Sequence, residues 1–260
     1  MKAIFTNWSK PQEESQHAGY SNLEDFKIGI SVAIRCAARF YECHFVGDAF
    51  SVEVVNGLQL PLKSTTIVNF EEKAPEGLWN YSKLKACSMF EAPFIHVDND
   101  VFLLKKLPDF EEYLFQNLED FNTHPWYDEP IKNMKALNVD ESIFNPNHKQ
   151  AYNCGIIGIG KDELINEWIL PSLELVESQA FKILHKEKPM LYEIVVEQYT
   201  AYCCAKYHNR DVKLLLRNTH IQEDAHKLGF IHMISKSKRN PIKMQKIKNF
   251  YNRNFRNAHH

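Results

Sequence analysis

The chain has 260 residues, 44% of them hydrophobic and 25% charged, with a formal net charge of −2. That is an ordinary globular composition, and together with the lack of any nucleic-acid motif it argues against a basic nucleic-acid adaptor. No apolar run approaches the roughly 18–20 residues that span a bilayer, and the opening Met-Lys-Ala-Ile-Phe-Thr-Asn-Trp is too short in its apolar part for a signal peptide.

The predicted elements alternate between strands and helices. Ala3–Thr6 reads as a strand, followed by an apolar-periodic helix over 25–41 with Ile28, Val32, Ile34 and Ala38. Short strands are expected at 43–46, 51–55 and 65–68, a helix from Gly77 to about Phe90, and a strand at 94–97. A helix is expected over 108–118 with Pro108 at its favoured first position. The segment 124–150 is polar, carries Pro125, Pro130 and Pro146, shows only a weak helical pattern, and reads as a long functional loop or an insertion. Strand character returns at 151–160. Helices follow over 164–184, interrupted at Pro171, and over 191–205, with strands at 212–216 and 230–234. No Gly/Ser- or Pro-rich linker divides the chain, so the pattern implies one α/β sandwich with a mostly parallel sheet.

Cys36, Cys43, Cys87, Cys154, Cys203 and Cys204 show neither a disulfide framework nor a CxxC pair, which points to a reducing cytoplasm. Cys203-Cys204 reads as helix packing. From Lys236 to Arg256 stand Lys236, Lys238, Arg239, Lys243, Lys246, Lys248, Arg253 and Arg256, with no Asp or Glu. Such a tail suits phosphates or the anionic inner face of a membrane, and equally a solvated terminal helix. His259-His260 closes the chain.

The most informative stretch is Phe94-Ile-His-Val-Asp98-Asn99-Asp100-Val-Phe-Leu-Leu104. Two carboxylates one residue apart follow a buried strand, and residues i and i+2 of a strand share a face. Paired carboxylates beside a core carry a desolvation and like-charge penalty that a divalent cation removes. The competing reading is an Asp-Asn-Asp turn between two strands.

Four further segments carry polar groups in apolar settings. Tyr152-Asn153-Cys154-Gly155-Ile156-Ile157-Gly158 offers an amide, with glycines that allow close backbone approach. Glu197-Gln198 interrupts an apolar helix and would face either a sugar or solvent. His232-Met-Ile-Ser235-Lys236-Ser-Lys238 ends a short strand and would supply either a metal ligand and phosphate-binding lysines or a structural imidazole. Trp79-Asn-Tyr-Ser82-Lys83-Leu-Lys85 precedes the acidic strand, and its lysines would reach a diphosphate or lie on the helix surface.

Taken in order, these pieces resemble glycosyltransferases of the A-type fold (GT-A), nearest to the glycogenin-like and lipopolysaccharide galactosyltransferase-like group. Thr6-Asn7 is similar to that group's Thr-Asn beside the nucleotide, Ser82-Lys83-Leu84 to its basic helix residue, and Asp98-Asn99-Asp100 to its Asp-x-Asp. Asn153-Cys154-Gly155 resembles its donor-sugar strand, Glu197-Gln198 its Asp-Gln pair, and His232 to Lys238 its His-x-x-Gly-x-x-Lys. Ser235 stands in place of the glycine, Arg239-Asn240 in place of Pro-Trp, and Glu197 in place of Asp.

The resemblance implies a GT-A-like α/β/α sandwich. It would comprise a nucleotide-binding half (1–105), a donor-sugar and acceptor half (106–235) and a basic tail (236–260). It implies a retaining transfer of a sugar, UDP-linked by preference, to a saccharide or glycolipid hydroxyl. Asp98, Asp100 and His232 would hold Mn²⁺ or Mg²⁺. Thr6, Asn7, Lys83, Asp98, Asn153, Gly155 and Lys238 would bind the donor, and Glu197, Gln198 and Asn153 would serve the transfer. An inverting enzyme would instead need a base such as Glu197, Asp128, Glu129 or Asp140. Two rival readings are a nucleotide-sugar-binding protein with weak or no turnover and a nucleotidyltransferase. For the latter, Thr6-Asn7-Trp8-Ser9-Lys10-Pro11 lacks the expected Gly-rich phosphate loop.

Overall fold

The computed structural model describes residues 1–10, 18–75, 77–187, 192–216 and 222–255. Its strands are β1 (Lys2–Asn7), β2 (Glu42–Gly47), β3 (Leu62–Ile67), β4 (Phe94–Val97), β5 (Val101–Leu103), β6 (Tyr113–Asp120), β7 (Gln150–Ile159), β8 (Val212–Leu216) and β9 (Phe230–His232). The helices are α1 (Leu23–Ala37), α2 (Ala49–Asn56), α3 (Tyr81–Cys87), α4 (Asp128–Met134), α5 (Leu170–Glu177), α6 (Gln179–Glu187), α7 (Thr200–Tyr207), α8 (Gln222–Leu228) and α9 (Pro241–Asn254). Seven strands form one mostly parallel sheet in the order β3-β2-β1-β4-β7-β6-β8, and β5 pairs with β9 in a separate two-stranded sheet. The protein is therefore α/β, as the alternation of elements predicts. No helix among the described residues is long and apolar enough to cross a membrane.

Contacts group the chain into two compact units. The first comprises 1–69, 97–108 and 222–260, the second 70–96 and 109–221.

In the first unit β1, β2 and β3 run parallel, with Asn7 level with Gly47. Asn22 caps α1 by accepting from Asp25 N at 2.8 Å, and Glu24 and Asp25 favour the positive end of the helix dipole. Residues 51–55, expected as a strand, form most of α2. Asp48 caps that helix at Ser51 N (3.0 Å), and Val52 and Val55, three apart, share its buried face. Cap and helical spacing override the β-propensity of the valines. Most of the basic tail forms α9, which is not fully solvated: Met244 and Ile247 are buried and Lys248 pairs with Asp25 at 2.7 Å. Arg256, His259 and His260 lie outside the described residues.

In the second unit the expected helix over 108–118 gives way to β6. It runs antiparallel to β7 and parallel to β8, and Tyr113 to Asn117 are all buried. A strand buried on both faces has no polar alternation, and over so short a run its pattern matches a buried helix. The segment 124–150 is more ordered than a loop, with 3-10 turns at Pro125–Tyr127 and Lys135–Leu137 flanking α4. Pro171 does not interrupt its helix. The π-helical turn Ile165–Ile169 runs without a gap into α5 through Pro171, and the break falls at Ser178 (ψ 145°). Two π-helical turns, Ile165–Ile169 and Val195–Tyr199, lead into α5 and α7.

Candidate functional site

Each unit holds one polar cluster built from residues that the sequence singles out. In the first unit, Asp98-Asn99-Asp100 is a turn: Val101 N donates to Asp98 O at 3.0 Å, so the strand-turn-strand reading describes the backbone correctly. The carboxylates nevertheless converge. β5 and β9 pair with Val101 level with His232, and Met233 N donates to Asp100 O at 2.9 Å. This brings His232 Nε2 to 3.4 Å from Asp100 Oδ1.

Donor atoms of Asp98, Asp100 and His232 all lie within 4.8 Å of one another. Atoms bound to one ion at about 2.1–2.2 Å stand roughly 3–4.4 Å apart, so the carboxylate–imidazole set needs little adjustment to hold a divalent cation. Asn99 adds a buried Oδ1 with no hydrogen-bond partner among the described residues, while its Nδ2 donates to Thr6 O at 2.6 Å. Thr6 and Asn7 are buried at the end of β1, and Asn7 Nδ2 donates to Ser51 Oγ at 2.8 Å.

Lys238 follows β9 in a 3-10 turn (Ser235–Arg239) and sets its ammonium 2.8 Å from Asp100 Oδ2. Burial works to raise the pKa of Asp100, but the charges of Lys238 and His232 prevail and hold the carboxyl well below its usual range. Tyr20 joins the cluster: Lys238 stands 5.8 Å from its ring centroid, and burial with the charges of Asp100 and Asp25 pushes its phenol pKa up.

The second unit carries Lys83, Asn153, Gly155, Glu197 and Gln198. Lys83 is no surface lysine. It is 3% exposed, and its ammonium lies 2.6 Å from Glu197 Oε1 and donates to Cys154 O at 3.0 Å. Glu197, 1% exposed in its π-helical turn, does not face solvent. Gln198 Oε1 and Glu119 Oε2 (2.7 Å) flank the Tyr127 hydroxyl, Asn153 Nδ2 donates to Glu119 Oε1 at 2.8 Å, and Gly155 N donates to Asn153 Oδ1 at 3.1 Å. Gly158 serves packing, because a Cβ there would meet Leu114 and Phe110 side-chain atoms at 2.6 Å.

Sequence reasoning missed Glu119, Tyr127 and Glu193. Glu193 stands one helical turn before Glu197, accepts from Trp79 Nε1, and has its carboxyl pKa pushed up to about 8 by burial, with Glu197 adding to the shift and the Trp79 bond opposing it. The four-residue spacing of two glutamates in an apolar helix was the available signal. Glu119 and Tyr127 had none: the strand that carries Glu119 read mostly as a helix, and Tyr127 lies in the segment that read as a loop.

Glu167, Cys204 and His208 also converge. They fit an ion pair better than a metal: Arg210 takes both oxygens of Glu167, and burial pushes the Cys204 thiol pKa up to about 12, which keeps its proton. All six cysteines are buried and free of disulfides.

Over residues 1–260 the sequence matches the family of unknown function DUF6734, and the chain belongs to that family. No curated protein matches it. Among solved structures it is similar to mouse xyloside xylosyltransferase 1 in its apo form (12% identity, TM-score 0.46), over 91% of this chain and 99% of that one. It is also similar to the inositol-1-phosphate CTP transferase from T. maritima (11% identity, TM-score 0.46), over 95% and 96%.

Proposed function

We propose that this DUF6734 member is a metal-dependent glycosyltransferase that moves a sugar, with retention, from a nucleotide-diphosphate sugar to an acceptor hydroxyl. The observation that carries the reading is the convergence of Asp98, Asp100 and His232 beside the Lys238 ammonium, with the intervening Asn99 bonded to Thr6 O in β1. Asp98, Asp100 and His232 would hold Mn²⁺ or Mg²⁺, which when bound would neutralise charge on a departing diphosphate. Lys238 would add a point charge on phosphate, and preorganised cations act where charge develops. Thr6 and Asn7 would lie along the nucleotide, with UDP the favoured carrier.

In the second unit the proposed sugar ligands are Lys83, Asn153, Gly155, Glu197 and Gln198. Two features support a hydroxyl-rich ligand there. Tyr127 carries one hydroxyl proton but faces two acceptors, Glu119 and Gln198, so acceptor capacity is left over for a sugar hydroxyl. Glu197, fixed by Lys83 and Asn80 (3.4 Å), is a preorganised carboxylate of the kind that steadies an oxocarbenium-like transition state. The acceptor would be a saccharide or glycolipid, and α9 would give peripheral contact with the anionic inner face of a membrane.

The test is a donor screen that follows release of nucleoside diphosphate with Mn²⁺ across a panel of nucleotide sugars. Turnover should require the metal and disappear in Asp98→Asn and Asp100→Asn with the far-UV circular dichroism unchanged. Donor binding without transfer or hydrolysis would favour a binding protein. Pyrophosphate release from a nucleoside triphosphate would favour a nucleotidyltransferase. Turnover that survives EDTA would reject the metal-dependent mechanism.

A further inference from the structure

We propose that Lys238 is a resident counter-ion of Asp100 that competes with a divalent cation and is drawn off by a diphosphate, so that metal and diphosphate bind cooperatively. This rests on the glycosyltransferase reading and deepens it. The two oxygens of Asp100 have different neighbours: Oδ2 meets Lys238 Nζ at 2.8 Å, and Oδ1 faces His232 Nε2 at 3.4 Å. The Asp100 side chain is 8% exposed and that of Lys238 17%, so water screens the pair weakly.

The charges explain why a lysine should sit among metal ligands. Asp98 and Asp100, two positions apart, bring two negative charges within 4.8 Å of each other, and without a cation they would repel. Lys238 cancels one charge. A dication entering beside the fixed ammonium would leave the cluster with an excess positive charge, so the lysine opposes the metal. A diphosphate brings two or more negative charges and re-pairs the ammonium, which frees the Asp100 oxygen. A lysine suits this exchange, being a point charge on a flexible four-carbon stem. Arg239 in the same turn is differently engaged, its Nε donating to Gly19 O at 3.2 Å. Ligands that each relieve the other's opposition raise each other's affinity by the same factor.

The experiment measures Mn²⁺ binding to the full chain by electron paramagnetic resonance of the free ion, with and without UDP. Without UDP, Lys238→Met should bind Mn²⁺ about tenfold tighter than wild type, a coupling within the usual range, and the tightening that UDP produces in wild type should shrink correspondingly. The gain in thermal midpoint on adding Mn²⁺ should also be larger in Lys238→Met. Lys238→Gln, which keeps a polar chain, should behave alike and guards against a folding defect in the first variant. Equal or weaker Mn²⁺ binding in both Lys238 variants, with binding lost in Asp100→Asn, overturns the counter-ion role and leaves the metal site standing. The same gain from Lys236→Met overturns it in favour of a diffuse field. Unchanged Mn²⁺ binding in Asp100→Asn rejects the metal site itself, and this proposal with it.

Discussion

Replacing Lys83 with Met tests whether the second unit is organised around a buried ion pair. The ammonium lies 2.6 Å from Glu197 Oε1, with the two side chains 4% and 1% exposed. Methionine nearly conserves the volume but leaves a carboxylate that water cannot reach. Asn80 Nδ2 donates to that carboxylate at a long 3.4 Å. Breaking one side of such a pair costs about 3–5 kcal/mol, much of it the penalty of the orphaned charge. Replacing both partners with neutral groups of similar size should cost far less, because no charge is left stranded. Urea unfolding of wild type, Lys83→Met, Glu197→Gln and the double variant closes a thermodynamic cycle, which should give at least about 2 kcal/mol of coupling. A loss below about 1 kcal/mol, or costs that simply add in the double variant, would refute the reasoning.

Three further outcomes are expected. Glu193, with a folded pKa of about 8 against an ordinary 4.5, binds more protons folded than unfolded between those values. Its stabilising contribution is therefore full at low pH and falls by up to about 1.4 kcal/mol per unit as the pH rises through that window. Glu193→Gln keeps an acceptor for Trp79 and should flatten the stability profile between pH 5 and 8, each roughly the edges of that window; an unaltered profile would assign the dependence elsewhere. Gly160→Ala would push a Cβ to 2.1 Å from Glu111 O, a backbone atom with little freedom to yield, and should destabilise by about 1–3 kcal/mol in urea unfolding. Lys238→Ala should weaken binding of a nucleoside diphosphate more than that of the nucleoside in calorimetric titrations; equal losses would deny it a phosphate role.

Much of the first cluster was legible because its parts are local. A buried strand ending in Asp98-Asn99-Asp100 and a short strand ending in His232 are each visible as composition and order, and charge marks Lys238. The same holds for the α/β class, since strand and helix periods alternate over most of the chain. Legibility failed where two periods give one pattern. Tyr113 to Asn117 show no polar alternation because both faces of β6 are buried there, and Val52 and Val55 carry β-propensity inside a helix that Asp48 caps.

By its chemistry alone the sequence determined which groups are available: paired carboxylates, an imidazole, a basic tail, and a Glu-Gln step in an apolar helix. Tertiary structure alone decided their states. It made Lys83 a buried partner of Glu197 rather than a surface lysine, set Lys238 on Asp100, and gave Tyr127 two competing acceptors. Those outcomes depend on distances of about 3 Å between residues up to 138 positions apart, as Lys238 is from Asp100, and on exclusion of water. A linear pattern of residue types encodes neither quantity.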